Sequence, residues 1–152
     1  MIRRALLVGA LSAGAALGAA APPLPLASEA WIPAAPPGAR MHAGYLLVRN
    51  PAPVAQRLVA VGSDAHARVE LHETVVRDGA MTMEQRRSLA LPARGELRFA
   101  PGGLHLMLLE PTRELAPGAR VVLRLRFADG RTLSVTAEVR DARTTAPHHH
   151  GS

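Results

Sequence analysis

The stretch ARVELHETVVRDGAMTMEQR, residues 67–86, decides the fold. Its first half alternates, with Val69, Leu71 and Val75 on one face and Glu70, His72 and Thr74 on the other, which is the period of a half-buried strand. Asp78-Gly79 then supplies the residue pair that a tight two-residue hairpin turn favours. The returning strand carries Met81 and Met83 together on one face.

The same grammar extends in both directions. GYLLVRN ends at Asn50-Pro51, QRLVAVGS at Gly62-Ser63-Asp64, GELRFA at Pro101-Gly102-Gly103 and LHLMLLE at Pro111. ARVVLRLRFADG and RTLSVTAEVR form a second hairpin across Asp129-Gly130. About eight short strands at regular spacing, with no long segment of 3.6 period, predict an antiparallel β-sandwich or barrel. SEAWIPAAPPGAR is too Pro-rich for a helix and is expected as a leading edge strand with an extended approach. GARMHAGY, with Met41 and His42, is expected as a solvated lead into the first core strand, and His66 falls in a turn with no evident partner.

Four segments are expected. Residues 1–20 carry Arg3 and Arg4, then an apolar Ala/Gly/Leu stretch, then small residues at Gly18 and Ala20, the pattern of an export signal cleaved after Ala20. The apolar stretch is shorter and richer in Gly than a spanning helix needs, so no stable membrane insertion is expected once the signal is removed. Residues 21–27 form a Pro-rich leader, 28–140 the β-sandwich domain, and 141–152 a polar, unpatterned tail that includes His148, His149 and His150. The expected location is the periplasm.

Composition narrows the function. The 18 basic residues are all Arg, scattered along the chain, and the formal charge is +6. Without Arg3 and Arg4, 16 basic residues face 12 acidic ones. Four aromatics and no basic stripe argue against nucleic-acid binding. There is no Cys, hence no disulfide, no thiolate metal site, no Cys nucleophile and no thiol for lipid attachment in these 152 residues. Neither H-E-x-x-H nor G-x-S-x-G occurs, and no enzyme activity is expected.

What remains is a pattern of imidazoles and thioethers. In LHLMLLE, Leu104, Leu106 and Leu108 share one face, which puts His105 and Met107 on the other. His72 likewise lies opposite Val69 and Leu71, so His and Met repeatedly occupy the side away from the Leu/Val core. Thioether is a soft, neutral donor that hard cations ignore, and two His with two Met would make a neutral cage suited to Cu(I). Taken singly, each Met is ordinary core filler and each His an ordinary strand residue.

The spacing adds to this. His72, ten residues, Met83, twenty-one residues and then His105-x-Met107 resembles the signature of the periplasmic copper chaperones of the PCu(A)C family at all four positions. VELHET, DGAMTM, PGGLHLMLLE and YLLVRNP are similar to flanking segments of that family, over about Trp31 to Val139. The family often carries an Arg soon after the Trp, where this chain has WIPAAPPG. The resemblance implies a cupredoxin-like β-sandwich that binds one Cu(I) at an exposed site of His72, Met83, His105 and Met107. It further implies delivery to the copper A centre of cytochrome c oxidase, alongside a Sco-type protein. The chain is expected to be a monomer. A periplasmic copper-buffering or copper-resistance protein would share the ligands, and an immunoglobulin-type interaction sandwich would share the strands. Met81 is expected to shield the site, Glu70, Glu73 and Glu110 to be solvated charges, and His148–His150 to offer an additional Cu(II) position.

Overall fold

The computed structural model describes Gly18 and residues 20–141. These contain ten strands: β1 Leu26–Pro33, β2 Met41–Arg49, β3 Gln56–Ser63, β4 His66–Arg77, β5 Ala80–Arg86, β6 Leu89–Leu91, β7 Glu96–Phe99, β8 Leu104–Pro111, β9 Arg120–Phe127 and β10 Thr132–Arg140. Among the described residues there is no helix, and so none long and apolar enough to cross a membrane.

Alternation sets which face of each strand is buried. On β9, Val121, Leu123, Leu125 and Phe127 are at most 1% exposed, while Arg120, Arg124 and Arg126 point outward. Each such buried side chain contributes about 1.5–3 kcal/mol relative to an exposed one. The strands form a ladder in the order β5-β4-β8-β7-β2-β1-β10-β9-β3-β6, with β8 also pairing directly with β2. The ladder folds over on itself. Leu46, Val48, Leu106 and Leu108 from one half meet Leu58, Leu123, Leu125, Phe127 and Val139 from the other in a single core.

The β4–β5 hairpin forms as its sequence requires. Asp78 and Gly79 both have positive φ, 50° and 78°, the turn geometry whose twist matches the flanking strands. Gly44 on β2 stands opposite Leu106, where a Cβ would lie 3.3 Å from both Leu106 Cβ and Leu108 Cδ1. Its missing side chain lets β2 close onto β8, one of the three strands that carry the candidate residues.

Three local expectations are corrected. The Pro-rich leading strand is not at an edge: β1 pairs antiparallel with β2 and parallel with β10, through Trp31 opposite Glu138 and Ile32 opposite Val139. Its prolines allow this because Pro22, Pro23 and Pro25 precede the strand and Pro33 is its last residue, after which Ala34 N–H donates to Arg140 O at 2.7 Å. Met41 and His42 belong to β2 and are not a solvated lead-in; His42 is only 9% exposed. His66 opens β4, is 5% exposed, and has partners described below. Pairing is otherwise antiparallel except at the single β7–β8 contact, Phe99 opposite Leu104.

Candidate metal centre

Strand register brings the four sequence-predicted residues onto one face. On the adjoining strands β4 and β8, His72 is directly opposite His105, and Glu70 is opposite Met107. On the other side of β4, Thr74 is opposite Met83 of β5. Because directly paired residues project to the same side, His72, His105, Met83 and Met107 share a face of the β5-β4-β8 ladder. The two methionines flank the histidine pair diagonally, Met83 toward the hairpin turn and Met107 away from it.

The imidazole rings have centroids 5.8 Å apart at an interplanar angle of 40°. With metal–nitrogen bonds of about 2.0 Å and a ring radius of about 1.1 Å, two imidazoles on one ion have centroids roughly 5–6 Å apart. The observed separation therefore suits a shared ion. Exposure falls inward from the sheet edge: Met83 is 61% exposed on edge strand β5, the His72 side chain 12%, and His105 8%. The underlying face of the same strands, Leu71, Leu106 and Leu108, is sealed in the core.

Hydrogen bonds assign the ring nitrogens. His105 Nδ1 lies 3.0 Å from Gly103 O, and since a carbonyl only accepts, Nδ1 carries the proton and Nε2 the lone pair. Gly103 O also accepts the Thr74 N–H at 3.1 Å, which ties the turn after β7 to β4 beside the site. His72 Nε2 lies 2.9 Å from Glu70 Oε2, while its Nδ1 is buried and has no hydrogen-bond partner. Glu70 Oε1 is held by Arg68 Nε at 3.0 Å. The His72 hydrogen bond, then the nearby Arg68 charge, hold the Glu70 carboxyl below its ordinary pKa against a desolvation that acts the other way.

On the opposite side of the β4–β5 hairpin, charges pair with one another. Arg86 bonds Glu73 at 2.6 Å, and Arg77 bonds Glu84. Glu73 is thus an ion-pair member, and Glu70, read from the sequence as a solvated charge, is half-buried and bonded to His72. No group of three or more His, Cys, Asp or Glu able to hold a metal occurs among the described residues. The donor set at this face is two neutral imidazoles with thioethers, chemistry that favours a soft monovalent ion over Zn2+, Ca2+ or Mg2+.

Met81 shares the face of Met83 but stands opposite Val76, two residues nearer the turn, and is 70% exposed. It does not cover the histidine pair. Sequence reasoning missed the acceptors for both imidazoles; Glu70, two residues from His72 on the same face, was the available signal.

Comparison with known proteins now bears on the whole domain. Residues 26–139 match the family described as "Putative lipoprotein LpqE-like". The chain belongs to this family of PCuAC proteins. A putative lipoprotein of Leifsonia xyli subsp. xyli (strain CTCB07), Lxx21020, is 38% identical over 115 residues, covering 75% of this chain and 68% of that protein. Apo-DR1885 from Deinococcus radiodurans is 32% identical with a TM-score of 0.60, covering 93% of this chain and 95% of that one. The Cu(I) form of the same protein is 28% identical with a TM-score of 0.58, covering 84% of each. The copper-bound PCuAC domain from PmoF2, at 23% identity, a TM-score of 0.66 and coverage of 80% and 97%, shows the shared fold. This PCuAC chain therefore has a cupredoxin-like all-β architecture, and PCuAC domains are copper-binding chaperones.

A second histidine pair lies elsewhere in the PCuAC domain. His42 Nδ1 is 3.1 Å from His66 Nε2, and His66 Nδ1 is 2.9 Å from Ser63 Oγ. Burial, then the charges of His42 and Arg113, push the His66 pKa down to about 4 against the opposing pull of Asp64; burial also lowers that of His42. His42 borders a cavity of about 810 Å³ between Pro36–Arg40 and Glu110–Pro117. That cavity has no share in the His72–His105 face. The export-signal segment lies outside the described residues apart from Gly18 and Ala20, as do His148–His150.

Proposed function

We propose that this protein is an exported Cu(I) carrier that binds one ion at His72, Met83, His105 and Met107 and hands it on by ligand exchange. The observation that carries the reading is a buried, unpartnered imidazole nitrogen on His72, a residue directly opposite His105 on a face that also carries two methionines. An unpaired buried acceptor costs about 1–3 kcal/mol, which a coordinated cation would offset. Neutral ligands give a monovalent site from which the ion can leave without separating a thiolate from a cation. Met83, exposed on the edge strand, is the thioether that an incoming donor meets first and can displace.

The proposed destination is the copper A centre of cytochrome c oxidase, with a Sco-type thiol protein as companion, and the proposed compartment is the periplasm, reached through a signal in residues 1–20. The family description and the Leifsonia relative's name both speak of lipoproteins, which fits export, although these 152 residues offer no thiol for a lipid.

Anaerobic titration of Cu(I) against a colorimetric chelator tests the site. Tight 1:1 binding that His105→Ala and Met83→Leu both weaken supports it; no competitive binding would sink it. A deletion strain tests the destination: lost oxidase activity at low copper supports delivery, whereas copper sensitivity with normal oxidase points to buffering.

A further inference from the structure

Arg68, Glu70 and His72 stand at alternate positions on one face of β4 and form a chain of contacts along it. Arg68 Nε is 3.0 Å from one Glu70 oxygen and His72 Nε2 is 2.9 Å from the other. Both carboxylate oxygens are thus engaged, one by a permanent cation and one by an imidazole, so the carboxylate is held in a single orientation. An ionised carboxylate only accepts, which places the His72 proton on Nε2. The lone pair of the neutral ring then lies on Nδ1, the buried atom that has no partner. His105 is wired the other way, with Nδ1–H donated to Gly103 O and its lone pair on Nε2.

We propose that Glu70 is a positioning residue for His72: by accepting the Nε2 proton it selects the tautomer that ligates Cu(I) through Nδ1, while His105 ligates through Nε2. This rests on the Cu(I) reading above and extends it to the ligating atoms. The asymmetry has a geometric meaning. An ion on Nδ1 sits close to the β4 backbone, whereas an ion on Nε2 sits at the ring tip, so two directly opposed histidines reach one ion from different depths. Ligation through like nitrogens would centre the ion between the two strands. Unlike nitrogens draw it toward β4, the strand next to Met83 on β5.

The test is a two-bond 1H–15N correlation spectrum of the 15N-labelled protein with and without one equivalent of Cu(I), which is diamagnetic. The native protein should show the metal on Nδ1 of His72 and on Nε2 of His105. Glu70→Ala should weaken Cu(I) binding by about 10–100-fold, the usual effect of losing the partner of a ligating imidazole, and should leave His72 as a mixture of tautomers. Glu70→Gln, whose amide oxygen still accepts, should keep Nδ1 ligation and recover most of the affinity. A merely structural role for Glu70 would lower thermal stability in Glu70→Ala while leaving the His72 nitrogen pattern unchanged, and that outcome overturns the inference. So does metal on His72 Nε2 in the native protein, with the Cu(I) reading intact. A native protein that binds no Cu(I) overturns both.

Discussion

Among the described residues two histidine pairs meet across strands, and they differ in how their ring nitrogens are used. His72 and His105 face each other on an outer surface; their remaining hydrogen bonds go to Glu70 and Gly103, and each ring keeps a lone pair free of the other. His42 and His66 are both buried on β2 and β4, and three of their four ring nitrogens are spent on one another and on Ser63. Proximity of two imidazoles alone therefore does not distinguish the pairs. What separates the pairs is where the second nitrogen goes, and whether soft donors share the face.

The largest expected effect tests that separation directly. His105→Ala should reduce Cu(I) affinity by roughly a thousandfold, about 4 kcal/mol, whereas His66→Gln should leave it within a few-fold. Chelator competition on both variants checks this. A large loss with His66→Gln and none with His105→Ala would move the site to the buried pair.

A slightly smaller effect concerns acid stability. The His66 pKa lies near 4 in the folded protein, below the ordinary 6.5, so the unfolded chain binds the extra proton more readily. Stability is fully present above pH 6.5 and falls as pH drops from 6.5 toward 4, by up to about 3 kcal/mol for this one group. Urea unfolding of the apo protein across that range should show the slope, and His66→Gln, which cannot titrate, should flatten it. A native protein equally stable at pH 4.5 and 7 would mean the pair is not buried as a neutral unit.

These two regions also differ in how far they could be read from the sequence. Alternation in VELHET and LHLMLLE places His72, His105 and Met107 on the non-core face, and the Asp78-Gly79 turn folds Met83 onto it. That inference needs only local periodicity and one hairpin. The His42–His66 contact joins residues 24 apart on strands that both flank β8, and no local pattern states it. A signal did exist: His42, Gly44, Leu46 and Val48 alternate, and all four are buried, which marks His42 as facing inward. The place of β1 was hidden for a similar reason. Its parallel pairing with β10 links the two ends of the domain, and the prolines that suggest an edge in a linear reading fall before the ladder or, at Pro33, on its last residue.

The smallest effect sharpens the boundary of the outer site at its exposed rim. Met81 and Met83 lie on the same strand and the same face with similar exposure, 70% and 61%, so exposure and chemistry alone do not separate them. Register does. Met83 is paired with Thr74, the next residue along the face from His72, whereas Met81 is paired with Val76, one full repeat further toward the turn, about 7 Å along the strand. A thioether reaches across one such step diagonally, but not across two. Met83→Leu, which keeps the volume and removes the sulfur, should therefore weaken Cu(I) binding by about 30-fold, roughly 2 kcal/mol. Met81→Leu should change it by less than about threefold, under 1 kcal/mol. If the two substitutions weaken binding equally, the ion is held by a mobile pair of thioethers on β5, and the outer pair would owe its selectivity to the methionine edge more than to the register of its histidines.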